Sequence, residues 1–117
     1  MNHEGKRVQA VFFVTEAGRR PVREWLKEEL TTAQRKKVGK HIQVVEFGWP
    51  MGMPIVRKLE FDLWEVRAKL DAGIARVFFT IDDAEMILLH GIVKKSRKIP
   101  LQELEVARKR LALLKGN

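Results

Sequence analysis

The sequence contains no cysteine and no tyrosine. Without cysteine there is no disulfide framework, no thiolate zinc site, no iron–sulfur cluster and no cysteine nucleophile. The lack also fits a reducing compartment, and a cytoplasmic location is expected. Without tyrosine, no phenol can act as acid or base. No apolar run approaches the ~18 residues of a membrane span. Met1 to Ala10 carries nothing resembling a signal peptide. No glycine-rich phosphate loop of Walker or Rossmann form is present. His3, His41 and His90 show no metal-ligand spacing with carboxylates. The acidic residues form no evident glycosidase pair, and Asp82-Asp83 suits a tight turn. Repeats, linkers and low-complexity stretches are also missing. Residues 1–117 therefore read as one domain.

What is abundant is positive charge. Lys and Arg number 23 against 15 Asp and Glu, a formal net charge of +8. A small basic domain commonly meets nucleic acid, an anionic membrane or an acidic protein. At 45% hydrophobic residues the chain can still build a core.

The chain reads as strand, helix, helix, three strands, helix. Residues 8–15, VQAVFFVT, are β-branched and aromatic, and predict a strand. Pro21 suits the first turn of a helix carrying Val22, Trp25, Leu26 and Leu30 at helical spacing. Thr31 with Gln34 forms a capping-box pattern for a second helix. Its apolar stripe is Val38, Ile42 and Val45, with Val44 beside them, and Gly48 and Pro50 stop it. Residues 48–54, GWPMGMP, read as a loop with large apolar side chains, able to form an interface or to cap the core. In residues 63–70, Trp64, Val66, Ala68 and Leu70 alternate with Glu65, Arg67 and Lys69. Residues 74–81 and 85–93 are the next two strands, and the last is apolar enough to be central. After Pro100, a final helix points Leu101, Leu104, Ala107, Leu111 and Leu114 at the core. The expected fold is α+β: an antiparallel sheet of about four strands with two N-terminal helices and a C-terminal helix packed on one side.

The chemistry-bearing residues are basic. Lys58, Arg67, Arg76, Lys94, Lys95, Arg97 and Lys98 fall on the strands or the loop after them. Arg67 has a bland reading as a solvated strand residue beside Glu65. Arg76 has a weaker one, because arginine on an otherwise apolar strand is costly without a partner or ligand. His90 on its apolar strand is more often a hydrogen-bonded core histidine than a catalyst. Guanidinium forks suit phosphate oxygens and the extra charge of a pentavalent transition state. RNA brings its own nucleophile, the 2′-hydroxyl, so such a site needs no metal.

These residues sit in motifs that resemble the RelE/HigB superfamily of toxin–antitoxin toxins. The stretches are MGMPIVRKLEFDLWEVRAKL and GIARVFFTIDDAEMILLHGIVKKSRKIPLQELEVARKRL. They resemble the phage-derived HigB-like branch, with its G-x-P-x-x-K-L, L-W-E-L-R and L-L-H-G-F-x-K-K patterns. The resemblance implies a RelE-like fold and a ribosome-dependent, metal-independent endoribonuclease with no cofactor. Its implied partners are mRNA, the ribosome and a helix-turn-helix antitoxin, with DNA met only through the antitoxin complex. By the same resemblance Arg76 stabilises the transition-state phosphate and Arg67 holds its neighbour. Lys94 or Lys95 supplies charge or a proton, and His90 is a further acid–base candidate. Lys58, Lys69, Arg97 and Lys98 are expected to bind RNA. The family's tyrosine before the arginine is Ala75 here, and its later aromatic is Phe79. The general base is therefore unassigned. A non-catalytic RNA- or ribosome-binding module, and a protein that mainly binds an antitoxin, stand as alternatives.

Overall fold

A computed structural model describes residues 5–116. Its elements are β1 (Gln9–Phe12), α1 (Pro21–Glu28), α2 (Thr32–Gly48), β2 (Val56–Glu60), β3 (Leu63–Leu70), β4 (Gly73–Asp82), β5 (Glu85–Lys94) and α3 (Leu101–Leu114). The five strands form one mixed sheet in the order β1-β5-β4-β3-β2. β2 to β5 are antiparallel neighbours, and β1 joins β5 in parallel. The expected α+β class is correct, with one strand more than the four expected. The added strand is β2. β4 holds the middle of the sheet, and β5, with β1 and β4 on its two sides, is an interior strand as its apolar run predicts.

Local signals explain the helices. Pro21 starts α1, where its missing N–H is no loss. The Thr31 hydroxyl accepts from the Gln34 N–H, and the Gln34 side chain accepts from the Thr31 N–H, a complete capping box for α2. Arg35 then binds the C-terminal end of α1, donating from Nε to the Leu26 carbonyl at 2.9 Å.

The helices do not share one side of the sheet as expected. α1 and α2 cover one face, where Val22, Trp25, Val38, Ile42 and Val45 meet Val66, Ala68, Ala75, Val77 and Phe79. α3 covers part of the other, where Ala107, Leu104 and Leu111 meet Leu63, Phe78, Ile87 and Leu89. β4 and β5 are apolar on both faces because both faces are covered. Leu101 and Leu114, expected in the core, are exposed at opposite ends of α3, beyond the sheet area it covers. In the 48–54 loop, Trp49 and Met51 pack against the α1/α2 core, whereas Met53 is exposed.

A bulge resets β5. Phe78 pairs with His90 but Phe79 pairs with Leu88, so Leu89 is the extra residue. Before it, Met86 and Leu88 face α1 and α2. After it, His90 stacks on Phe78 on the α3 face, and Gly91 lies under Trp25 of α1.

Candidate active site

Directly opposed residues of neighbouring strands share a face, and this brings the basic residues together. Arg67 pairs with Arg76, which pairs with Ile92. The next row outward is Lys69, Ile74 and Lys94. The row inward holds Arg57 opposite Glu65, followed by Phe78 and His90. All belong to the α3 face.

At the centre is Glu65, completely buried and approached by three guanidinium groups. Arg57 Nε lies 2.8 Å from Oε2, Arg67 Nε 3.7 Å from Oε2, and Arg76 Nε 3.6 Å from Oε1. None of these approaches has hydrogen-bond alignment, so they are ionic contacts. One carboxylate thus faces three cations. Arg76 is completely buried, and its Nε, Nη1 and Nη2 have no hydrogen-bond partner among the described residues. Burial pushes the Arg76 pKa down, Glu65 pulls it back up, and Arg67 and Arg57 push it down further. A guanidinium remains charged through such a shift. Arg67 and Arg57 are part-exposed in front of it, and Arg67 Nη1 reaches toward Met53 Sδ at 3.9 Å.

The other residues named from the sequence divide. Lys69 lies on the same face and is exposed, and Lys94 is half-buried there. Lys95, Arg97 and Lys98 are exposed on the loop after β5. Lys58 is not part of the cluster. It pairs with Trp64, and its Nζ lies 5.6 Å from the Trp64 ring centroid, on the α1/α2 face. His90 is brought near, but both ring nitrogens are engaged by α3. Nε2 lies 2.6 Å from Glu103 Oε1, and Arg110 Nη1 lies 3.3 Å from Nδ1. Burial pushes the His90 pKa down against the opposing effect of Glu103. The neutral ring thus donates to Glu103 and accepts from Arg110. His41 Nδ1 lies 2.8 Å from the Arg67 carbonyl and ties β3 to α2. His3 lies outside the described residues. Sequence reasoning passed over Arg57 and the burial of Glu65. The alternation in residues 56–59, VRKL, carries the signal for Arg57, because Leu59 shares its face and Val56 shares that of Lys58.

Residues 24–112 match the family described as phage-derived Gp49-like proteins (DUF891). The match runs from within α1 to within α3 and includes every residue of the arginine cluster. The chain belongs to the Gp49-like family. This is a RelE/HigB-type toxin family, usually the toxin half of a toxin–antitoxin system, so an antitoxin partner is implied. No curated protein matches the chain. As a Gp49-like protein it carries the cluster on the sheet, while α1 and α3 flank the far end of β5. Among the described residues, no helix is long and apolar enough to cross a membrane.

Proposed function

We propose that the chain is an endoribonuclease toxin that cuts translated mRNA on the ribosome. The observation that carries this is the three-arginine cluster around Glu65, with no side-chain nitrogen of buried Arg76 hydrogen-bonded among the described residues. Two positive charges in excess, beside a low-dielectric core, form a site for a multi-oxygen anion. A phosphodiester held by Arg67 and Arg57 meets donors from the front. Arg76 acts from beneath as a positioning residue, because its own side chain is covered. As the 2′-oxygen attacks phosphorus and the bond to the 5′-oxygen breaks, negative charge grows on the non-bridging oxygens, where guanidiniums stabilise it most. Lys94, two residues further along the same face, adds charge or a proton for the leaving oxygen. Lys69, Lys95, Arg97 and Lys98 extend the basic surface for flanking phosphates. His90 has a different role in this reading, holding α3 to β5. The phage-derived HigB-like branch and a helix-turn-helix antitoxin belong to the same proposal.

A second reading is favoured by the covered Arg76 and the engaged His90: a non-catalytic module that binds RNA or the ribosome. Cell-free translation of a defined message separates the two, with new 5′ ends mapped by primer extension with and without ribosomes. Codon-phased cuts that need ribosomes and fall about a hundredfold in Arg67→Ala support the enzyme. Ribosome binding without cuts supports the module. A wild-type level of cutting in a folded Arg67→Ala removes the cluster from catalysis.

A further inference from the structure

Among the described residues, the outer edges of β1, β2 and the far half of β5 are protected differently. At β1 the buried Glu46 carboxylate accepts the Ala10 N–H at 2.7 Å and meets Lys6, so the edge is plugged. β2 is five residues long, carries three charges and breaks register between Lys58 and Glu60. These are standard protections of a sheet edge. The far half of β5 has neither. β1 pairs with β5 only as far as Leu88, with a last rung from the Phe13 N–H to the Leu88 carbonyl at 3.0 Å. Arg110 Nη1 then takes the Leu89 carbonyl at 2.8 Å. From His90 to Lys94, β5 is paired with β4 alone, and its middle residues are Gly91, Ile92 and Val93.

A groove of about 510 Å³ runs along this stretch. α1 forms one wall through Glu24, Trp25 and Glu28, and α3 forms the other through Glu103 and Arg110. Every second residue of a strand turns its N–H and C=O to the same side, so the floor of the groove offers backbone partners. Gly91 to Lys94 spans about 13 Å, the length of a four-residue strand. The rim is acidic on a basic molecule: Glu24, Glu28, Glu29 and Glu103 face Arg19, Lys94 and Arg110 across a neutral His90. Glu24 is held by Arg19 and Glu103 by His90. Glu28 and Glu29 are exposed and make no ion pair among the described residues.

We infer that the open half-edge of β5 is a strand-addition site for an extended, lysine- or arginine-bearing segment of a partner protein. The segment takes up the rungs that β1 leaves vacant and sets its cations against Glu28 and Glu29. Assigning that segment to the antitoxin rests on the toxin reading; the site itself does not. Lys94 lines both the groove and the face of the arginine cluster, so an occupant lies beside the proposed RNA site.

The test is an amide NMR titration of the full chain with an acetylated seven-residue peptide alternating lysine and valine, taken to about 1 mM. Shift changes centred on His90 to Lys94, lost when one alternate set of peptide nitrogens is methylated, support the inference. A peptide alternating glutamate and valine should bind about tenfold more weakly, and Glu28→Lys with Glu29→Lys should reverse that preference. Absence of shifts at His90 to Lys94, indifference to backbone methylation, or equal binding of both peptides overturns it. Cleavage measured on the same preparation keeps the two proposals apart. Peptide docking without cleavage refutes only the nuclease reading, and cleavage without docking refutes only this one. Protection of the same amides in the complex with the antitoxin assigns the segment to it; unchanged exchange there excludes it.

Discussion

Replacing Glu65 by Gln removes the one negative charge among three guanidiniums while keeping side-chain volume. Glu65 and Arg76 are both completely buried, with their charged atoms 3.6 Å apart. Breaking a buried pair by removing one partner costs about 3–5 kcal/mol, because the other charge stays behind uncompensated. For 117 residues, unfolding entropy near 60 °C is about 0.25 kcal/mol/K, at ~2.1 cal/mol/K per residue. Glu65→Gln should therefore lower Tm by about 12–20 °C in circular-dichroism melts. The same change leaves three cations without a counter-charge, so the variant should respond more strongly to sulfate than wild type does. An anion at a hundredfold excess over its Kd restores about 2.7 kcal/mol. Comparison with chloride at equal ionic strength removes the general salt effect. The double variant Glu65→Leu with Arg76→Met should lose much less than the sum of its single changes, since an apolar pair of similar volume replaces a buried ion pair at little cost. A Glu65→Gln protein within ~1 kcal/mol of wild type, with no extra sulfate response, would refute the claim that Glu65 is the counter-charge of the cluster.

Gly91→Ala would place a Cβ 2.6 Å from Trp25 Cζ3 and 2.7 Å from Cδ2. The ring must shift, costing about 1–3 kcal/mol. A lowered Tm with altered tryptophan fluorescence is expected, and an unchanged Tm counts against the Trp25–Gly91 contact. Burial holds the His90 pKa below its usual 6.5. As pH falls below about 6.5 the unfolded chain takes up this proton before the folded one does, so His90 makes stability drop with falling pH. Urea unfolding of His90→Gln should show a flatter pH dependence between about pH 6.5 and 5.5; an identical slope would place the proton uptake elsewhere. Glu46→Ala strips the part-buried Ala10 N–H of its acceptor and Lys6 of its partner. A loss of about 1–3 kcal/mol and faster exchange of the β1 amides should follow. Unaltered exchange at Ala10 would show that Glu46 does not hold that edge.

Much of this arrangement is legible in the sequence, and the exceptions have physical causes. The β3 range of Leu63–Leu70 and the Thr31–Gln34 cap follow from strict alternation and from hydrogen-bond stereochemistry, which are local. β2 escapes because five residues with three charges read as loop until β3 pairs with them. The second helical layer is implied by β4 and β5, apolar at consecutive positions, but the exposed ends of α3 conceal how little of the sheet it covers. The bulge at Leu89 is the least legible feature. Simple alternation from Met86 and Leu88 puts His90 on the α1/α2 face, and one extra residue moves it to the face of Arg76. For the site, Arg67 and Arg76 fall together as expected from neighbouring strands. Lys58 falls on the α1/α2 face and Arg57 on the face of the cluster, a difference of one residue in a strand the sequence does not announce.

The buried pair of Glu65 and Arg76 also bears on why such a costly group persists at all. Two apolar residues of similar volume often replace such a pair with little or no loss of stability. What they cannot supply is a fixed positive potential beneath Arg57 and Arg67. In water those two arginines would be screened and mobile, and each would bind phosphate weakly. Arg76 lies in the low-dielectric core directly opposite Arg67 across the strand pair, so its field reaches the surface with little attenuation. Glu65 limits the repulsion among the three and sets where their nitrogens sit, without neutralising them. Preorganised charge of this kind needs no rearrangement when an anion arrives, which is the condition under which charge stabilisation contributes most to a transition state. The doubly apolar variant therefore divides the two roles of the pair. It should remain folded, and if the cluster exists to hold a phosphodiester, it should lose RNA binding and cleavage together.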